Sequence, residues 1–138
     1  MKARIQSSLP ERLLLYGLSR EQTAAMTGLA EAFSMELRPI GPEDLDRQVG
    51  ALAGFPGFDQ QWRDQDSPAP PEGACMVMAG LSSKAMDRLL AGMKQAGVSI
   101  PLKAVVTAAN QTWSFARLME ELDRERAAIS RRASRNPK

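Results

Sequence analysis

An apolar run ending in Gly-Leu-Ser occurs twice in this chain, 63 residues apart, and each copy opens into a helical pattern. Leu13-Leu14-Leu15-Tyr16 leads into Gly17-Leu18-Ser19, and Ala74-Cys75-Met76-Val77-Met78-Ala79 leads into Gly80-Leu81-Ser82. Aliphatic runs of this length without polar alternation suit strands covered on both faces. After the first run, Ser19 and Gln22 have capping-box spacing, and Met26, Leu29 and Phe33 share one stripe of a helix from Arg20 to Phe33. After the second, Ser83 to Ala96 turns Met86, Leu89, Leu90 and Met93 inward, and Gly97 stops the helix.

Each helix leads to a second strand and a second helix. Residues 35–40 alternate apolar with charged, and Pro39, which cannot donate to a ladder, places that strand at an edge. Gly41-Pro42-Glu43-Asp44 has the proline and acids of a helix start, with Leu45, Val49 and Leu52 as the apolar stripe. In the second half Leu102–Val106 reads as a short buried strand and Thr107–Asn110 as a turn. The last helix then runs from Gln111 to about Arg126 or beyond and buries Phe115, Leu118, Met119 and Leu122. Asn110 directly precedes it and is expected to be its cap.

The pattern predicts a single α/β domain over 1–138. A strand–helix–strand–helix half spans 12–53, a linker loop 54–73, a second such half 74–126 and a basic tail 127–138. Alternating strands and helices imply a four-stranded, mostly parallel sheet with helices on both faces. Two similar halves give strand order 2-1-3-4, with the strands at Leu13 and Cys75 expected as parallel neighbours. A ferredoxin-like split sheet is the main rival. The Pro- and Gly-rich linker is expected to pack down through Phe55, Phe58 and Trp62 and to be mobile from Asp64 to Glu72. Residues 1–11 read as a frayed polar start.

Composition narrows the chemistry. The chain has no histidine and only one cysteine, Cys75, so Ser-His-Asp and Cys-His arrangements are excluded. Zinc, haem and iron–sulfur sites have almost nothing to hold them, and no metal or cofactor is expected. Cys75, inside a central strand, reads as a small buried hydrophobe. A lone cysteine forms no internal disulfide and fits a reducing cytoplasm. No apolar run is long enough to span a bilayer, and the N-terminus lacks the apolar core of a secretory signal. The net charge of +2 is too small to indicate nucleic acid by itself. Five basic residues (Arg126, Arg131, Arg132, Arg135 and Lys138) gather without an acid at the C-terminus, which reads most simply as a solvated helix end.

In open α/β sheets ligands lie beyond the carboxyl ends of the strands, where the strand order reverses. With parallel central strands that place is a crevice lined by Gly17, Leu18, Ser19, Gly80, Leu81, Ser82 and the Thr107–Asn110 turn. Two helix N-termini there would offer donors to an anion. Neither turn carries the dinucleotide or Walker pattern, and a tight turn with glycine for space and serine as cap explains the same residues. Thr107 and Asn110 can converge on one ligand. Lys103 lies roughly 13 Å from Thr107 along the strand, at about 3.3 Å per residue, and cannot join them. Trp113 reads as a wedge between helix and sheet.

The run Leu102-Lys103-Ala104-Val105-Val106-Thr107 with Asn110 and Trp113 follows Met76-Val77-Met78-Ala79-Gly80-Leu81 and precedes Leu118-Met119-Glu120-Glu121-Leu122. Together these segments resemble a small bacterial family catalogued only as a domain of unknown function. That family typically shows a hydrophobic strand ending in Gly-Phe, then Lys-Ala-Val-Val-Thr, then Asn and Trp, and a Leu-rich acidic last helix. The resemblance covers roughly residues 74–125, with Leu81 where the family often has Phe. It implies a cytoplasmic bacterial protein and singles out Lys103, Thr107, Asn110 and Trp113 as a signature, but it implies no activity. The resulting expectation is a non-enzymatic small-ligand-binding or regulatory module. The alternatives are a small enzyme acting on an anionic or amide-bearing substrate, and an interaction subunit whose basic tail contacts RNA or an acidic protein. An unknown small ligand or protein is the expected partner, nucleic acid is the weaker alternative, and a homo-oligomer stays open.

Overall fold

The computed structural model describes residues 9–135, with side chains through Arg131. The expectations for residues 1–8, for the side chains of Arg132 and Arg135, and for Lys138 lie outside the described residues. The elements are β1 (Arg12–Tyr16), α1 (Arg20–Ala32), β2 (Glu36–Pro39), α2 (Val49–Leu52), β3 (Cys75–Ala79), α3 (Ser83–Ala96), β4 (Leu102–Val105) and α4 (Phe115–Arg135). Short 3-10 turns at Pro42–Asp44 and Asn110–Thr112 precede α2 and α4.

The sheet has the expected order β2-β1-β3-β4, and its two outer pairings are parallel. The central pairing is not. β1 and β3 are neighbours but antiparallel, with Arg12 opposite Ala79, Leu14 opposite Val77 and Tyr16 opposite Cys75. Similar units repeated by translation give parallel neighbours, whereas units related by a two-fold rotation give antiparallel neighbours in the same strand order. The antiparallel pairing therefore contradicts the parallel duplication expected from the sequence. Leu14 faces the residue 63 positions on, so this pair sits on the local axis and the pairs beside it exchange. Across the sheet, Val49 N–H donates to the Trp113 carbonyl (2.9 Å) and Phe115 N–H to the Arg47 carbonyl (3.0 Å). These reciprocal bonds flank an antiparallel bridge between Gln48 and Ser114.

Alternate residues of the two central strands serve two cores. Leu13, Leu15, Met76 and Met78 pack with Met26 and Ala30 of α1 and with Leu89 and Met93 of α3. Leu14, Cys75 and Val77 pack on the other face with Val49 and Leu52 of α2 and with Phe115, Leu118 and Met119 of α4. Burial on both faces is why these strands read as unbroken apolar runs. Helices on both faces also set the fold apart from the ferredoxin-like rival.

Other departures have local causes. The expected second helix of the first half is only the 3-10 turn and the short α2. The Asp44 carboxylate turns back to accept the Gly41 N–H at 3.1 Å, closing the turn where a helix would have continued. Leu90 is 37% exposed and Trp62 38% exposed, although both were expected to pack inward. The Phe58 ring does pack down, against Gly50. The linker is held at Asp64, where mobility was expected: its N–H donates to the Asp46 carbonyl at 2.8 Å, and its carboxylate pairs with Arg117 at 3.1 Å. Burial pushes the Asp64 pKa up, but the Asp66 N–H, the Ser114 hydroxyl and the Arg117 guanidinium outweigh it and hold the carboxyl below its usual range.

Candidate functional site

The antiparallel centre divides the crevice that parallel strands would have made. Gly17 and Ser19 follow β1 at one end of the sheet, while Gly80, Ser82, Thr107 and Asn110 follow β3 and β4 at the other. Each glycine is packed against the neighbouring strand's backbone. At Gly17 (φ +76°) a Cβ would lie 3.2 Å from the Gly73 carbonyl oxygen, and at Gly80 (φ +73°) it would collide with the Pro10 carbonyl oxygen. Ser19 and Ser82 accept the N–H groups of Gln22 (3.1 Å) and Ala85 (3.0 Å) as helix caps.

Asn110 is buried and closes the turn after β4. Its Oδ1 accepts the Thr107 N–H (2.9 Å), its Nδ2 donates to the Val105 carbonyl (3.0 Å), and its own N–H donates to Thr107 Oγ1 (3.1 Å). Its position predicted a cap on the long helix, and it does not cap it. Trp113 is extended (φ −80°, ψ 155°) and separates the 3-10 turn from α4. Ser114 caps α4 instead, accepting the Arg117 N–H at 3.3 Å. Trp113 packs, half-buried, on the α4 side of the sheet, as a wedge would. Lys103 Nζ donates to the Ile100 carbonyl at 2.9 Å, away from Thr107.

These residues meet at an edge of the sheet. The N–H groups of Leu102 and Val106 reach the carbonyls of Ala74 (3.3 Å) and Met78 (2.9 Å) on the β3 side. Strand alternation therefore turns the backbone N–H and C=O of Lys103 and Val105 to the outer edge. Asn110 takes the Val105 carbonyl and the Thr107 N–H, the two groups a peptide of a further strand would take. Among the described residues, Lys103 N–H, Lys103 C=O and Val105 N–H have no partner.

The opposite edge is closed at the corresponding place. Glu36 and Ile40 donate to the carbonyls of Glu11 (2.9 Å) and Leu15 (2.8 Å), so Leu37 and Pro39 turn outward on β2. Pro39 has no N–H, and its carbonyl accepts the Arg38 guanidinium at 2.8 Å. The Gly41 N–H is taken by Asp44, which also pairs with Arg38 at 3.3 Å. An Arg–Asp pair on β2 thus does what the single Asn110 carboxamide does on β4. The difference lies one residue earlier, where proline stands on β2 and valine on β4.

Hollows flank the open edge on both sides. Between α3 and β4 a hollow of about 540 Å³ is lined by Leu90, Met93 and Ile100 together with Lys94 and Lys103. On the α4 side a hollow of about 250 Å³ lies among Leu102, Lys103, Leu122, Glu125, Arg126 and Ile129. Val105 is 37% exposed and Ile129 60% exposed beside them. A third hollow, about 260 Å³, lies at the carboxyl ends of β1 and β2, near Gly17, Thr23 and Thr27. Its threonine hydroxyls donate to their own helix carbonyls, each at 2.8 Å. Sequence reasoning singled out Lys103 but missed Val105, Lys94 and exposed Leu90. The available signal was the contrast of Pro39 with Val105 at matching places in the two halves.

Cys75 is fully buried, and burial pushes its thiol pKa up to about 12. Among the described residues, no helix is long and apolar enough to cross a membrane, and no three His, Cys, Asp or Glu side chains are grouped as metal ligands. Residues 74–129, the half that carries β4, match a family described as a domain of unknown function (DUF3783). No curated protein and no solved structure matches the chain.

Proposed function

We propose that the protein is a non-enzymatic binding module that takes its partner as an added strand on the outer edge of β4. The observation that carries this reading is the inequality of the two edges. Folded chains guard sheet edges with proline, charge or a covering element, because an open ladder invites another strand. Here β2 turns Leu37 outward and then ends at Pro39 and the Arg38–Asp44 pair, whereas β4, with Lys103 on its edge, adds among the described residues an unpartnered outward N–H at Val105, beside exposed apolar side chains. Strand addition uses such an edge for affinity and the flanking hollows for specificity. The antiparallel centre does not support the parallel duplication expected from the sequence. A two-fold relation of the halves rests on the single Leu14–Val77 pair, 63 residues apart, and on the reciprocal bonds near Gln48 and Ser114. On that reading the first half is the closed copy and the second the recognising one.

Proline at position 105 tests this reading, because it removes one outward N–H and leaves the inner ladder intact. Peptides selected by display on the immobilised full chain should lose binding to the Val105→Pro variant, whose thermal midpoint should stay close to wild type. Selected peptides that bind the variant equally well would overturn the proposal.

A further inference from the structure

Resting on that reading, we infer that the strand received by β4 is an extended segment of a partner protein with a carboxylate opposite Lys103. The open groups fix the register. Lys103 presents both N–H and C=O, so the incoming residue opposite it makes the paired bonds of an antiparallel ladder. Val105 adds its N–H, and Asn110 blocks the strand beyond it. The segment is therefore short and its position is set by the chain itself.

Side-chain chemistry then assigns the incoming residues. Lys103 and Val105 align with Met76 and Met78 of β3, so their side chains lie on the α3 side of the sheet. There Lys94 and Lys103 line one hollow, and no carboxylate lines it with them. Neither lysine forms an ion pair among the described residues. A carboxylate opposite Lys103 lies beside its side chain, on the hollow that Lys94 also lines. Two positions along the incoming strand, an apolar side chain opposite Val105 covers that exposed valine. The residue between them points to the α4 side, where Leu122 and Ile129 offer an apolar seat flanked by Glu125 and Arg126.

A second copy of this chain fits poorly. Pairing Lys103 with Val105 of a copy needs a carbonyl that Asn110 already occupies. The remaining antiparallel register sets Lys103 directly against Lys103, with both Lys94 side chains nearby, and like charges opposite one another destabilise a strand pair. Charge thus favours an acidic segment over self-association.

The test uses the full chain and two labelled peptides of about eight residues, both Val-rich around one central residue that is Glu in one peptide and Lys in its twin. The acidic peptide should bind at least roughly tenfold tighter at low salt, lose that margin as salt rises, and reverse its preference on Lys103→Glu. Val105→Pro should abolish binding of both. Equal affinity for the two peptides would overturn the acidic partner while leaving edge docking intact. Binding that survives Val105→Pro would overturn edge docking itself. Concentration-dependent dimers of wild type that Val105→Pro dissolves would make a second copy the occupant and overturn this inference.

Discussion

Asn110 is the residue whose importance is plainest and whose role is least visible in the sequence. Its position before a helical pattern suggests a cap, but the extended Trp113 intervenes and gives the cap to Ser114. Asn110 instead closes the ladder beyond β4 with one acceptor and one donor. Asn110→Ala leaves both backbone partners without it and should cost about 1–3 kcal/mol in urea unfolding. Asn110→Asp keeps the acceptor but sets a carboxylate against the Val105 carbonyl, so it should also be less stable than wild type at neutral pH. Protonating that Asp restores a donor, and the difference from wild type should shrink in acid. A neutral-pH stability equal to wild type for both variants would contradict this role. Cys75 gives a simpler check. With its thiol buried and its pKa near 12, it should resist iodoacetamide at pH 8 in the native protein and react on unfolding.

At the scale of elements, composition disclosed the strands, their order and the helices on both faces. It did not disclose the direction of β3. A central strand covered on both faces is an unbroken apolar run whether its neighbour is parallel or antiparallel, so Leu13–Tyr16 and Cys75–Ala79 were silent on the point. The crevice expected from parallel centres failed for that reason. The glycines that suggested it are explained by the antiparallel pair, which brings Pro10 onto Gly80 and Gly73 onto Gly17. Gly80→Ala should therefore destabilise the protein more than Gly17→Ala in thermal unfolding, because only at Gly80 does the new methyl strike backbone outright. Gly97→Ala meets open space and should cost only about 1 kcal/mol for its left-handed conformation. The linker has its own signature. Asp64 has its folded pKa lowered, so its contribution is present above the unfolded carboxylate pKa and is lost as pH falls through the folded value. Asp64→Asn should reduce stability at pH 7 and converge with wild type in strong acid. A difference that does not narrow in acid would remove the Asp64 charge from the explanation.

For the whole molecule, the sheet carries a core on each face and has two outer edges that are not alike. The first half ends its edge with Pro39 and an ion pair, and the second leaves Lys103 and Val105 turned outward between α3 and α4. Amide hydrogen exchange of the free full-length chain reads this difference residue by residue. Ala104 and Val106, bonded toward β3, and Thr107, bonded to Asn110, should exchange slowly. Lys103 and Val105 should exchange faster than these by about two orders of magnitude. Equal protection at all five positions would mean that something already covers β4, and the open edge would not exist.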